Sequence, residues 1–262
     1  MNPSPLPGGN SHLVIVPSYN SGPLLAKTVL AALEHWKPVW IVLDGCTDSS
    51  VVELRDLAQD HADLRLFILE QNQGKGGATL VAMQAALEAG YSHALVVDAD
   101  GQHPADQIVR FMRISIEHPE AMILGVPIFG EDAPPERVKG RLFGNWFANL
   151  ETLWGGVRDS LFGFRVYPLE PAVRIMKSIR TARRFDFDTE LVVRLFWAGV
   201  RPINEPVRVY YPPRAAGGVT HFKYLRDNLL LAGTHTRLCL LMLTRLWPVW
   251  RLRERWKHDT LC

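Results

Sequence analysis

The chain predicts an α/β protein built on a doubly wound, mostly parallel sheet between layers of helices, and three observations carry that prediction. Short apolar runs alternate with amphipathic ones from the start of the sequence. The apolar runs are continuous rather than alternating, which means burial on both faces and hence parallel strands. Polar clusters stand at the carboxyl ends of those runs, where open α/β sheets bind their ligands.

Element by element, `HLVIVPS` reads as a strand and `PLLAKTVLAALEHW` as a helix with Pro23 near its first turn. `VWIVLDG` is a second strand, followed by a helix over `SSVVELRDLAQDHA` with Asp48 or Ser49 as its cap. `LRLFILE` is a third strand, and Gly90 closes the helix `GATLVAMQAALEAG`. `HALVVDA` makes the fourth strand, `PADQIVRFMRISIEH` the next helix and `AMILGVPI` a fifth strand. The Pro, Gly and charge content of `FGEDAPPERVKG` marks a loop. Beyond it come a helix from about Lys139 to Leu153, a short strand in `FGFRVYP`, helices in `EPAVRIMKSIR` and `FDTELVVRLFWAG`, and a strand in `VRVYYPP`. Residues 222–246 read as mostly helical. The expected organisation is a flexible segment at 1–11, one domain over 12–222 and a basic, aromatic helical extension over 223–262.

Composition narrows the class. Of 262 residues, 47% are hydrophobic and 21% charged, as in a folded globular chain. A net charge of +2 gives no case for nucleic acid. The charge is unevenly spread: the first hundred residues are acid-rich, whereas Arg226, Arg237, Arg245, Arg251, Arg253, Arg255 and Lys257 crowd the tail beside several tryptophans. That pattern suits an anionic surface such as lipid headgroups. Cys46, Cys239 and Cys262 are odd in number and widely spaced, which argues against a disulfide framework or a zinc site. `MNPSPLPGGNS` has neither the basic region nor the apolar core of a signal peptide, and `LCLLMLTRLWPVW`, interrupted by Arg245, falls short of a bilayer span. A cytoplasmic protein lying against the membrane is the expectation.

The chemistry gathers at three strand ends, `PSYNSG`, `LDGCTDSS` and `VDADGQ`, which topology brings together. Burying two carboxylates at the end of an apolar strand is costly unless a cation offsets them. Asp98 and Asp100, with the neutral oxygen of Gln102 at the next alternate position, are oxygen ligands for a hard divalent ion that bridges to a substrate's phosphates.

The ordered set `VIVPSYNSG`, `LDGCTDSS`, `NQGKGGA`, `VDADGQHP`, `FGFRVYP` and `FDFDTEL` resembles the inverting family 2 glycosyltransferases of the GT-A fold. The nearest branch is that of dolichyl-phosphate mannosyltransferase and the bacterial polyprenyl-phosphate sugar transferases. The resemblance covers residues 12–222 in colinear order. It implies a nucleotide diphosphate sugar donor (UDP- or GDP-linked), with Pro17, Tyr19, Asn20, Asp44, Lys75 and Asp98 toward the nucleotide sugar. It also implies Mg²⁺ or Mn²⁺ on Asp98, Asp100 and Gln102, and Arg141 as an arginine for an acceptor phosphate. Arg214 and His221 are placed to reach the diphosphate or the metal. The chain departs from the family pattern at Leu43 and Cys46, where an acid and a serine are usual, and at Pro127, where that branch carries a second arginine.

The resemblance leaves the acceptor open. A hydroxyl acceptor needs a carboxylate to take its proton, and Asp188 or Glu190 would be that base. A phosphate acceptor needs none, and Arg141 and Arg165 then matter most. Of the three neighbouring acids, Asp186, Asp188 and Glu190, one reads as structural, pairing Arg183 or Arg184, and His103 reads as a loop residue without chemistry. Two other classes are considered beside the lipid-directed transferase: an inactive sugar-nucleotide-binding or membrane-scaffold protein, and a haloacid-dehalogenase-like phosphatase suggested by `VDADGQ` alone.

Overall fold

The computed structural model describes residues 11–130, 135–209 and 224–257. Seven strands form one sheet in the order β3-β2-β1-β4-β6-β5-β7. They are β1 (His12–Ser18), β2 (Val39–Asp44), β3 (Leu64–Leu69), β4 (His93–Val96), β5 (Ala121–Ile128), β6 (Arg165–Pro168) and β7 (Arg201–Arg208). Six are mutually parallel, and β6 is inserted antiparallel between β4 and β5. The mostly parallel sheet is therefore as expected. The central strands β1, β2, β4 and β6 are buried along their whole length, whereas the edge strands β3 and β7 are only partly so.

Helices cover both faces: α1 (Leu24–His35), α2 (Ser50–Asp60), α3 (Lys75–Glu88), α4 (Ile108–Glu117), α5 (Pro135–Glu151), α6 (Leu169–Ser178), α7 (Phe187–Trp197), α8 (Tyr224–Leu243) and α9 (Leu246–Lys257). Successive side chains on a strand point to opposite faces, so two cores form. Val14, Val16, Ile41, Leu43, Leu95 and Val166 pack with Leu25, Val29, Leu54 and Phe111 of α1, α2 and α4. Leu13, Ile15, Trp40, Val42, Val96 and Tyr167 pack with Ala82, Val173, Leu191 and Phe196 of α3, α6 and α7. Val249 of α9 joins this second core, which ties the C-terminal helices to the sheet.

Three local expectations shift. The last strand runs over Arg201–Arg208 rather than 207–213, because Gly199, at φ +90°, ends α7 and turns the chain early. Pro202 and Pro206 are accommodated there because β7 is an edge strand. A single 3₁₀ turn, Ala105–Gln107, precedes α4, and a separate helix, α9, follows α8.

Helix α8 lays Asp227, Thr234, His235, Leu238 and Met242 inward, while Leu229, Leu230, Leu240 and Leu243 stay exposed. Leu142, Phe143 and Trp146 on α5, and Leu246, Trp247 and Trp250 on α9, are exposed as well. Helix α8 packs on both α5 and α9. Among the described residues no single helix is long and apolar enough to cross a membrane, and α8 and α9 meet at a 93° bend.

Candidate active site

The carboxyl ends of β1, β2 and β4 carry the loops of the site. After β1, Asn20 adopts a left-handed backbone (φ +46°), a conformation asparagine tolerates better than most residues. Its side-chain oxygen accepts the Thr47 amide at 2.8 Å, and Asp48 accepts the Gly22 amide at 3.0 Å. Ser49 is the N-cap of α2, and Asp48 beside it accepts the Ser50 amide at 3.3 Å, so the two candidates share the start of the helix. The loop after β1, where Tyr19 and Asn20 follow Pro17 at the end of the strand, is thereby fastened to the loop after β2.

Asp44 ends β2 and is 2% exposed. Its two oxygens accept the amides of Gln73 (2.7 Å) and Gly74 (2.9 Å) in the loop before α3. Burial pushes its carboxyl above the ordinary value, and the two amides work against that shift. Gly74 sits at φ +83°, and a side chain there would strike the Arg183 carbonyl, so the loop must be glycine to pass this point. The Arg183 carbonyl also takes the Gly76 amide at 2.9 Å. This anchoring delivers Lys75 to the centre of the site.

Lys75 Nζ lies 2.6 Å from Asp98 Oδ1 and 2.6 Å from Asp188 Oδ2. Burial alone would lower its pKa, but the two carboxylates outweigh that and hold it above the ordinary lysine value. Burial would likewise raise Asp98, yet Lys75 and His103 hold its carboxyl well below the usual range. His103 Nε2 stands 3.4 Å from Asp98 Oδ2, with its ring against Phe162 and Phe164. His103 thus belongs to the site, contrary to the loop role read from the sequence; nothing in `DGQHP` reveals that two phenylalanines sixty residues on enclose it. Gly163 abuts the Asp98 carboxylate so closely that any side chain would collide with it.

Asp100 Oδ1 accepts the Gln102 amide at 3.0 Å, so Gln102 meets Asp100 through its backbone. Asp100 is pushed above the ordinary carboxylate value, first by burial and then by the charge of Asp98. Among the described residues no three His, Cys, Asp or Glu side chains form a ready-made metal site. Asp98 and Asp100 still fit a hard divalent ion of the kind held by one or two carboxylates with substrate phosphates completing the shell. Two carboxylates separated by one residue on one loop, both facing the same buried surroundings, supply the hard oxygen donors such an ion takes.

Asp188 sits on the first turn of α7, and its Oδ1 is 3.5 Å from Arg165 Nη1. That nitrogen also donates to the Asp188 carbonyl (3.1 Å) and to Tyr167 Oη (3.2 Å). Arg165 is fully buried in β6, with Nε and Nη2 unpartnered. Its described contacts are with Asp188 and Tyr167. Glu190, two residues along α7, points to the other side of the helix. It pairs with Arg194 (2.8 Å) and with Arg237 of α8. Burial raises its pKa, against the pull of both arginines. The structure therefore brings Asp98, Lys75, Asp188, Arg165 and His103 together and leaves Glu190 in the α7–α8 contact. Asp186 accepts the backbone amide of Arg184 and the hydroxyl of Thr234, not an arginine side chain.

Arg141, on α5, donates from Nη1 to both oxygens of Asp159, at 2.8 and 2.9 Å. Asp159 is 2% exposed and also accepts from Asn145, Leu161 and Phe162. Sequence reasoning missed Asp159; the pattern `RDSLFGF` offers no sign that it orients Arg141. Arg214 and His221 lie outside the described residues.

A doubly wound, mostly parallel sheet with an Asp-x-Asp pair beyond the carboxyl end of β4 and an antiparallel strand inserted beside it is the arrangement of the GT-A fold. The chain belongs to glycosyl transferase family 2, which matches residues 13–175, and it is a glycosyltransferase. It is 26% identical to the UDP-N-acetylglucosamine–dolichyl-phosphate N-acetylglucosaminyltransferase of Methanococcus voltae, over 69% of this chain and 78% of that one. It is 24% identical to the undecaprenyl-phosphate mannosyltransferase of Micrococcus luteus, over 74% and 82%. The glucosyl-3-phosphoglycerate synthase of Mycobacterium tuberculosis, solved in complex with Mn²⁺ and uridine-diphosphate-glucose, shares the fold. Its TM-score is 0.60 at 16% identity, covering 90% of this chain and 78% of that one. The family resemblance is borne out, and the match sets aside the phosphatase reading.

Proposed function

We propose that the protein moves a sugar from a UDP- or GDP-linked donor to a polyprenyl-type lipid phosphate at the cytoplasmic face of a membrane. One observation carries the choice of phosphate over hydroxyl. Each acid that would serve as a base is already held by two cations: Asp188 by Lys75 and Arg165, Glu190 by Arg194 and Arg237. A phosphate nucleophile has no proton that must be removed, so it tolerates this arrangement; a hydroxyl does not. The acceptors in the names of the two curated relatives, a dolichyl and an undecaprenyl phosphate, support the same reading.

In this reading Asp98 and Asp100 hold Mg²⁺ or Mn²⁺, with Gln102 and His221 as further candidates for its shell. The ion supplies neutralisation of the charge building on the departing diphosphate. Pro17, Tyr19 and Asn20 line the nucleoside side. Asp44 serves that side indirectly, by fixing the glycine loop through two amides. Arg141, oriented by Asp159, receives the acceptor phosphate, and Arg214 the donor diphosphate. Arg165 keeps Asp188 on Lys75 while water is excluded by Phe162, Phe164 and Phe187. Leucines and tryptophans exposed on α5, α8 and α9, with the exposed Arg245, Arg251 and Arg255, form the face that meets anionic lipid.

A thermal-shift panel of nucleotide diphosphates with Mn²⁺ tests the donor half. Selective stabilisation by UDP or GDP is expected, by about 2.7 kcal/mol at a hundredfold excess over Kd. Stabilisation by none of them would remove the donor assignment. Donor binding without any sugar transfer would leave the inactive scaffold as the better description.

A further inference from the structure

Among the described residues Lys75 is the cation that touches both Asp98 and Asp188, and the surroundings of Asp98 give that contact a consequence. Of the two Asp98 oxygens, Oδ2 faces His103 at 3.4 Å, and Gly163 stands close against the carboxylate as a whole. Oδ1 is the oxygen that Lys75 holds, at 2.6 Å. An ammonium nitrogen at that distance occupies the position from which a divalent ion would bind the same lone pairs. Two cations packed onto one carboxylate oxygen repel each other with little water between them to screen the repulsion.

We propose that Lys75 is a tethered competitor of the divalent cation: the two exclude one another from Asp98 Oδ1, and Lys75 yields it while keeping Asp188. The inference rests on the reading of Asp98 and Asp100 as the metal-holding pair. The residues suit an exchange. The lysine head is a point charge on a flexible four-carbon stem, unlike the rigid fork of an arginine. It has a second carboxylate, Asp188, to fall back on, 2.6 Å away. The backbone beneath it is fixed by Asp44 and the Arg183 carbonyl, so movement is confined to the side chain. The result is a site that holds a bare ion weakly and an ion arriving with its diphosphate well, because the diphosphate supplies the ligands and charge that outcompete the lysine. Lys75 would thereby couple the donor side, through Asp98, to the acceptor side, through Asp188.

The test is Mn²⁺ binding to the full chain without nucleotide, read from the free-ion signal in electron paramagnetic resonance. Lys75→Met should bind Mn²⁺ about tenfold or more tighter than the wild type, within the usual range of coupling between linked sites. Arg184→Met, which removes a nearby charge not in contact with Asp98, should change the affinity far less. Equal affinity in the wild type and Lys75→Met, or an equal gain in Arg184→Met, would overturn the competition. Asp98→Asn separates the two levels of the argument: Mn²⁺ binding untouched by that change would remove the metal reading itself. A measurement on the wild type guards against a Lys75→Met chain that fails to fold. Acylation of Lys75 by an amine reagent, followed by peptide mass spectrometry, should rise when Mn²⁺ is added, and protection that Mn²⁺ leaves unchanged would overturn the proposal.

Discussion

Asp188 Oδ2 lies 2.6 Å from the ammonium of Lys75, 113 residues earlier in the chain, and this contact joins the first turn of α7 to the first residue of α3. Asp188 is 4% exposed and its other oxygen faces Arg165, so it is fixed from both sides. Replacing Asp188 with Asn leaves two buried cations short of an anion. Transfer should fall by about a hundredfold or more, and unfolding in denaturant should show a loss of about 3 kcal/mol. Full activity in Asp188→Asn would remove it from the site.

Glu190 has the opposite profile. Its carboxylate joins α7 to α8 through Arg237 and is wholly buried. Glu190→Gln should cost about 3 kcal/mol of stability, as expected when one partner of a buried pair is removed. Its kcat should stay within a few-fold of the wild type, measured below the unfolding transition. A large loss of kcat with stability unchanged would make Glu190 the base after all.

Asp100 tests the metal without disturbing Lys75. Asp100→Asn should lower sugar transfer by about a thousandfold, the scale on which lost electrostatic stabilisation of the leaving group is felt. Circular dichroism should remain that of the wild type. Near-normal Mn²⁺-dependent turnover would remove Asp100 from the metal.

The α9 surface is testable apart from chemistry. Trp247 and Trp250 stack at 5.0 Å and are both exposed. Changing both to Ser should weaken sedimentation with phosphatidylglycerol vesicles by about tenfold or more, since each large apolar side chain buried in lipid contributes about 1.5–3 kcal/mol. Unchanged vesicle binding would move the lipid contact elsewhere.

Far from the site, His93 is buried at the amino end of β4. Nε2 donates to the Pro119 carbonyl at 2.9 Å, Nδ1 accepts from the Ser92 hydroxyl, and the ring stacks on His12 at 4.5 Å. Burial holds its pKa below the ordinary histidine value. The unfolded chain then binds a proton more readily, so this contribution is fully present above about pH 6.5 and declines as pH falls toward the lowered folded value. Denaturant unfolding between pH 7.5 and 5 should show that decline, and His93→Gln should flatten it.

The sheet was legible because its central strands are apolar on both faces, so `HLVIVPS`, `VWIVLD` and `HALV` announce themselves without tertiary information. Strand β7 was misplaced because two prolines argue against a strand unless its edge position is known. The Asp-x-Asp pair and the ordered motifs located the site, since they mark strand ends that topology must bring together. Sequence could not separate Asp188 from Glu190: they lie two residues apart, and only helix geometry turns one toward Lys75 and the other toward Arg237. His103 and Asp159 carried no local pattern at all, because their roles come from residues that approach only in the fold.

The most direct test offers polyprenyl phosphate and the matching free polyprenol to the purified protein in anionic vesicles, with Mn²⁺ and the donor selected by thermal shift. Release of nucleoside diphosphate with sugar appearing on the phosphate, and none on the alcohol, is the expected result. Transfer to the alcohol at a comparable rate would contradict the account, because it would require a base where both carboxylates are held by cations.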